Sequence, residues 1–423
     1  MKKTFMIFLV ALMAAIPFSS VSASSNDAVT RGQFFKMLVE HLGYDVSKAK
    51  AELPKDVPAN SPYADAAKIL KDKKIVVGFG DGTFRPNQPI KPSEAAAIVS
   101  RLLVIKGDAK SALAENYGIT FDNENTLSLE KAQEIISKAL TSDEKALEIL
   151  DQMTIAQNEL TSFKANAKMN MDFKLKEGQT DIPEFTNGMK MDTNVTMTFH
   201  KEKGMHQQVT IAVPDPATNE LQNMTVEQYF VPEGMFMKVD DPETGEAHWL
   251  DMSAGLPFSF AELMKTNEES MQIVNEFNRQ YFFYRDLGME VVNGANNYKL
   301  AFQGKIHSLE DMLGMLGTIL NDQSDQLLVG LENMPNIAME MTGYIWVDEK
   351  TKLPTRQTCK FVIVFGQAKE PGMDLPIESI QYDMDMNYSA FNEVQEIVLP
   401  EEAKNAEKLP GFEEPVDLPQ TDI

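Results

Sequence analysis

The sequence predicts a chain of two unlike parts: an all-α helical bundle near the N-terminus, and behind it an α+β domain in which helices cover a curved antiparallel sheet, a half-barrel of roughly eight to eleven strands. Three observations predict this. A helix, a glycine turn and a second helix fill Leu53–Val104, with fainter echoes on either side. Strict alternation of apolar and polar residues begins at Phe163 and returns in several later segments, the period of a strand with one solvated face. Between those segments, Phe258–Lys265, Glu268–Arg285 and Leu309–Leu331 carry apolar stripes at helical spacing.

At the N-terminus, Lys2 and Lys3 precede the apolar stretch Phe5–Phe18 and then Val21-Ser22-Ala23, with small residues at the positions a signal peptidase requires. Residues 1–23 therefore read as a signal peptide cleaved after Ala23, the apolar run being shorter than the ~20 residues that span a bilayer. No Cys follows it to carry a lipid, and the only Cys, Cys359, sits among alternating apolar residues as a small core side chain. No intrachain disulfide is possible, so stability must come from packing. The formal net charge of -24 is uneven: Ser24–Lys110 holds 14 Lys plus Arg against 10 Asp plus Glu, a net of +4, and the leader adds +2, which leaves -30 for the remainder. A basic front suits an anionic wall polymer, whereas the acidic rear is unsuited to nucleic acid, whose binding needs clustered cations.

Within Leu53–Val104, Ala64, Ala67, Ile69 and Leu70 have helical spacing, and Gly78-Phe79-Gly80-Asp81-Gly82 breaks the helix. Ser93 is the expected N-cap of a second helix through Ala97, Ile98, Arg101 and Leu102. The glycines precede Thr-Phe-Arg-Pro instead of opening a helix after a strand, so this is no dinucleotide loop. The string resembles the S-layer-homology repeat in Asp56-Val57, in Tyr63-Ala64, and in the Ile-x-x-Gly-x-x-Asp-Gly-Thr-Phe-x-Pro core from Ile75 to Pro86. It departs at Tyr63, where the family usually has Trp, and at Ile90–Glu94, where it usually has Ile-Thr-Arg-Ala-Glu. Val29-Thr30-Arg31-Gly32-Gln33-Phe34 resembles the second half of a preceding repeat, and Gly118–Ile136 a degenerate third, giving roughly two and a half repeats over 24–140, the best at 53–104. The resemblance implies a pseudo-threefold bundle whose grooves hold pyruvylated secondary cell-wall polysaccharide or a peptidoglycan-linked polymer. It implies that Arg31 and a weaker counterpart, Lys91, contact the anionic polymer while Asp56, Gly78 and Asp81 shape the groove. Taken singly, Lys91 reads as a solvated charge and Asp81 as a turn stabiliser.

The second part opens with an amphipathic helix capped by Thr141 or Ser142, with Leu147, Leu150, Met153 and Ile155 along one side. Phe163, Ala165, Ala167, Met169, Met171, Phe173 and Leu175 then alternate with polar residues, as do Met191, Val195, Met197 and Phe199 further on. Ile337, Met339, Met341 and Ile345, then Cys359, Phe361, Ile363 and Phe365, then Ile380, Tyr382, Met384, Met386 and Tyr388 repeat the pattern. This order of elements is similar to the LolA and LppX-like lipoprotein carriers, chiefly in Glu159–Phe163, in Tyr344–Asp348 with its turn Thr351–Arg356, and in Tyr388–Asn392 with Ile397–Pro400. The resemblance implies an inner face that accommodates acyl chains, here formed by Phe163, Met169, Met171, Phe173, Met191, Met197, Met339, Met341, Met384 and Met386. Met is flexible and polarizable and suits varied apolar ligands, but alternation reports burial and not a void, and by that measure the same residues read first as a filled core between sheet and helices. A lipid or other amphiphile is one expected partner; a structural or interaction module without a ligand is the alternative. His200, His206, His248 and His307 lack metal-ligand spacing, no nucleophile motif is present, and no cofactor or enzymatic activity is expected. The acidic, proline-bearing end from Glu401 to Ile423 reads as disordered, with the folded domain placed at 141–405 and the tail at 406–423.

Overall fold

A computed structural model describes residues 28–121, 126–176, 190–214, 221–240, 247–255, 260–261, 279, 281–308, 337–366 and 376–408. Residues 1–23, read above as a signal peptide, Leu309–Leu331 and most of Phe258–Lys265 and Glu268–Arg285 lie outside those residues. Two compact units divide the chain after Leu140.

The first unit contains α1 (Arg31–Leu42), α2 (Ala64–Asp72), α3 (Pro92–Leu102), α4 (Ala109–Tyr117) and α5 (Leu129–Ala139). It is not the all-α bundle that the helical periodicity suggests. Three short extended segments meet between the helices, with bridges Ala28↔Ser128 and Thr30↔Pro89. Their backbone hydrogen bonds run in a ring: Val29 N–H donates to Leu127 (2.8 Å), Leu127 to Ile90 (3.0 Å) and Ile90 to Val29 (2.9 Å). Buried amides need partners, and segments of two or three residues too short to show a strand period satisfy one another here. Val29, Ile90 and Leu127 are all buried at this junction. Each segment feeds a helix one residue later. Thr30 caps α1 in a reciprocal capping box with Gln33, Lys91 N–H bonds Glu94 Oε2 (3.0 Å) before α3, and the Ser128 hydroxyl accepts from Lys131 N–H before α5. Ser93 therefore lies inside α3 and is not its cap.

The second unit is one twelve-stranded sheet in the order β12-β6-β5-β4-β3-β2-β1-β11-β10-β9-β8-β7. β1 (Ser162–Leu175) starts at its centre. β2 (Lys190–His200), β3 (Gly204–Pro214), β4 (Leu221–Val231), β5 (Gly234–Asp240) and β6 (Ala247–Asp251) lead outward by antiparallel pairing. The chain then re-enters at the opposite edge with β7 (Phe282–Val292) and returns through β8 (Ala295–Ile306), β9 (Ile337–Asp348), β10 (Pro354–Phe365) and β11 (Ile377–Ser389) to pair with β1. The sheet thus exceeds the expected strand number, and it is not wholly antiparallel, because β12 (Glu407–Lys408) pairs parallel to β6. Phe282–Arg285, read as the end of a helix, belong to β7, whose Asn293-Gly294 turn, both residues at positive φ, closes a two-residue hairpin with β8.

One helix of the second unit, α6 (Glu144–Asn158), seals part of the apolar face. Ala146, Ile149, Leu147, Leu150 and Met153 pack on Phe282, Tyr284, Leu300, Phe302, Ile345 and Val347. Its start is fixed by β7: Ser142 Oγ accepts from Tyr284 N–H, Asp143 binds Arg285 Nη1 (2.9 Å) and Asp286 N–H (2.9 Å), and Lys145 pairs with Asp286 (2.6 Å). Asp143 is consequently the N-cap, and Ile155, grouped with the apolar side from its spacing, is 62% exposed. The end of the chain from Glu401 is ordered as far as Lys408: a helical turn at Glu401–Lys404 buries Ala403, which packs with Leu399 on Tyr229, Val231 and Phe236. Burial of these few apolar residues holds an acidic segment that composition assigns to disorder. Residues 409–423 lie outside the described part.

Candidate functional site

In the first unit the candidate wall-binding residues converge around the loop between α2 and α3. Asp56 accepts from Phe84 N–H (2.8 Å) and Arg85 N–H (2.7 Å), so its carboxylate folds the loop. Gly78, at φ +76°, lies so close to the Phe84 ring that a Cβ would sit 2.7 Å from it. Arg31 is not a surface charge. Its side chain is 6% exposed, Nε donates to the Phe84 carbonyl (2.7 Å) and Nη1 pairs with Glu94 (2.8 Å). The guanidinium also lies 4.8 Å from the Phe79 ring, and Arg85 stands 3.8 Å from the same ring. Phe79 and Arg85 were not singled out in the sequence, although both lie inside the repeat core; the pairing of two cations with one ring is the signal that folding adds.

Asp81 binds Thr83 through its backbone N–H (3.0 Å) and hydroxyl (2.6 Å) and Arg85 Nη2 (3.1 Å). Those bonds from Thr83 first, then Arg85, hold its pKa down to about 2. Lys91 occupies the place of Thr30 in the junction, and the residue matching Arg31 is Pro92, with Leu129 at the third site. The expected Arg31–Lys91 correspondence is thus one residue out of step. The neighbouring groove, about 220 Å³ and lined by Pro92, Phe121, Leu127, Ser128, Glu130, Lys131 and Glu134, has no guanidinium, and its Lys131 is held by Glu134 at 2.6 Å.

In the second unit the ten candidate cavity residues share one face of the sheet. Met169 lies opposite Met384, Met171 opposite Met191, Ala165 opposite Met197 and Ala167 opposite Met386; Met339 and Met341 lie across from Ile363 and Phe361. Phe163 packs on Phe199 at 5.1 Å, and Phe173 lies opposite Ile380. All ten are half-buried, while Leu300 and Val347, on the same face under α6, are fully buried. Cys359 belongs to this face as well; burial, then the nearby Asp383 charge, pushes its thiol up to about 11. On the other face His206 stacks on Tyr229 (4.2 Å) and bonds Glu227 (2.9 Å), and His200 accepts from Glu202 and Lys203 N–H groups; His248 lies in β6, turned to the opposite side from Trp249, and His307 is buried. Among the described residues no group of three His, Cys, Asp or Glu side chains is placed to hold a metal ion, and no helix is long and apolar enough to cross a membrane.

Comparison with known proteins bears out the S-layer-homology resemblance read from the sequence. An S-layer homology domain matches residues 55–96, and that domain implies association with the cell surface. Solved structures similar to the rest include lipoprotein LppX from Mycobacterium tuberculosis, 14% identical over 61% of this chain and 100% of that one, with a TM-score of 0.29. LprF from Mycobacterium bovis is 11% identical, covering 62% and 99%, at 0.32. A domain described as an outer membrane lipoprotein-sorting protein, from Vibrio parahaemolyticus, is 11% identical, covering 62% and 97%, at 0.20. At these scores none bears on function. No curated protein matches the chain. The model of DUF6612, a family of unknown function, spans residues 145–408, well over half of the sequence and the whole sheet with its covering helix, and the protein is a member of that family.

Proposed function

We propose that the protein is exported, is held non-covalently to an anionic wall polysaccharide by its first unit, and uses the methionine face of its second unit to hold a lipid or other amphiphile, a binding role and not a catalytic one. The wall contact is centred on Phe79, Arg31 and Arg85: Arg31 positions the loop from within, and the partly exposed Arg85 offers its guanidinium to an acidic sugar substituent.

The observation that carries the ligand reading is the uneven burial of one continuous face. Under α6 it is closed around Leu300, Phe302 and Val347, as a filled core is. Across β1, β2 and β11 the same face leaves its Met and Phe side chains half-buried, and each methylene of an acyl chain laid there contributes about 0.8 kcal/mol. A filled core accounts for the first region and not for the second.

Organic extraction of the purified full-length mature protein followed by mass spectrometry tests this. A co-purifying amphiphile is expected, together with binding of a fluorescent fatty acid that the double substitution Met169→Lys, Met384→Glu abolishes. A protein that yields no amphiphile and ignores the fatty acid would refute the ligand reading and leave the wall reading to stand or fall on sedimentation with isolated sacculi.

A further inference from the structure

The face of the sheet opposite the methionines carries a groove of about 440 Å³, within the size range of small-ligand sites. Two cross-strand rows of side chains build it, Lys168–Asp385–Thr358–Tyr344–Ala301 and Asn170–Asp383–Lys360–Thr342–Gln303, contributed by β1, β11, β10, β9 and β8 in turn. Ala301, Gly343, Thr342 and Thr358 make a low floor, and the longer side chains of Lys168, Lys360, Gln303 and Tyr344 rise around it. All five strands are interior and paired on both edges, so a peptide cannot be captured here by adding a strand.

We propose that this groove binds a neutral oligosaccharide. Three features select that chemistry. First, the four charged side chains that line it cancel: Lys168 and Lys360 stand against Asp383 and Asp385. Both carboxylates are already engaged, Asp385 by the two-pronged Arg356 (2.9 and 2.7 Å) and Asp383 by Gln381 (2.7 Å) and Lys360 (3.6 Å). The groove therefore has little net field to favour an anionic polymer and no free carboxylate pair for a cation.

Second, Asn170, Gln303, Thr342 and Thr358 make no side-chain hydrogen bond to another described residue. Amides and hydroxyls that both donate and accept match sugar hydroxyls, which do the same. Third, Tyr344 is 42% exposed beside these polar side chains. Its ring is steadied by Trp346 (centroids 5.9 Å apart) and by Lys299 (5.0 Å), and Trp346 is in turn flanked by Lys299 (5.1 Å) and Arg356 (4.9 Å). A pre-positioned aromatic ring loses little entropy on binding and offers an apolar surface to the C–H side of a pyranose while its hydroxyl stays wet.

The test is isothermal titration of the full-length mature protein with hexasaccharides of β-1,4-linked glucose, β-1,4-linked N-acetylglucosamine and α-1,4-linked glucose. At least one is expected to bind with a Kd between about 1 μM and 1 mM. Tyr344→Ala should weaken that binding at least about tenfold, with sedimentation on sacculi unchanged, and Tyr344→Phe should keep most of it. Arg85→Ala, expected to lower wall binding, should leave the hexasaccharide affinity as it is, so this site and the wall groove fail independently. Binding of none of the three sugars would overturn the proposal, and so would binding that survives Tyr344→Ala combined with Gln303→Ala in a protein whose circular dichroism is unaltered.

Discussion

Arg31 and Arg85 touch the same ring from different depths, and the difference sets what each substitution reports. Removing the Arg31 side chain leaves the Phe84 carbonyl and Glu94 without their partner inside the loop, a loss of about 1–3 kcal/mol for a buried group left unpaired. Arg31→Ala should therefore lower the thermal midpoint of the first unit along with sacculus binding. Arg85 is 39% exposed at its side chain and its ion pair with Asp81 lies at the surface, so Arg85→Ala should weaken sedimentation with sacculi at nearly unchanged stability. Equal stability loss in both variants would contradict this division. Asp81 gives a pH signature for the same loop. Its folded pKa of about 2 lies below the ordinary 3.8, so the carboxylate favours the folded loop above the ordinary value, and that contribution is lost as pH falls through 2. Carboxyl NMR should find a midpoint near pH 2 that rises in Thr83→Val, which deletes the hydroxyl donor.

At the scale of elements, strand faces were legible, whereas the helix caps and the register were not. The alternation from Phe163 announces a half-buried strand from a few neighbouring residues. Ser93 failed as a cap because the extended junction ends at Lys91, a boundary fixed by hydrogen bonds to Val29 and Leu127 far away in sequence. Ile155 failed as a core position because β7 sets the roll of α6 through Ser142, Asp143 and Lys145. The Asn293-Gly294 turn was a readable hairpin signal that the helical spacing of the segment before it obscured. The packing of α6 makes a direct prediction: Leu300→Ala, at a fully buried position beneath it, should cost about 2–5 kcal/mol in urea unfolding. A strand glycine offers a second check. A Cβ on Gly343 would stand 2.7 Å from the Phe302 ring and 2.0 Å from the Thr358 carbonyl, so Gly343→Ala should destabilise by about 1–3 kcal/mol through overpacking.

For the molecule as a whole, the basic stretch and the acidic surplus fall in different parts of the chain, and the methionine face lies in the acidic part. Ser24–Lys110 is net positive within a chain of net charge -24, so attachment to an anionic wall polymer should weaken as ionic strength rises, whereas an amphiphile held on the methionine face should not be released by salt. Washing sacculus-bound protein with increasing NaCl and assaying both fractions for the amphiphile distinguishes the two. Release of amphiphile in step with protein-free salt washes would contradict the apolar mode of retention.

Neighbouring residues alone announced the S-layer homology repeat and which residues of β1, β2, β9, β10 and β11 share an apolar side, because motifs and helical and strand periods are local properties of the chain. Only the tertiary structure decided that Arg31 is enclosed and matches Pro92, that twelve strands join in one sheet, and that Tyr344, Lys168, Gln303 and Asp385 surround one groove. Each of these depends on backbone pairing between segments tens to hundreds of residues apart, and a local period records which way a side chain faces, not which strand lies beside it.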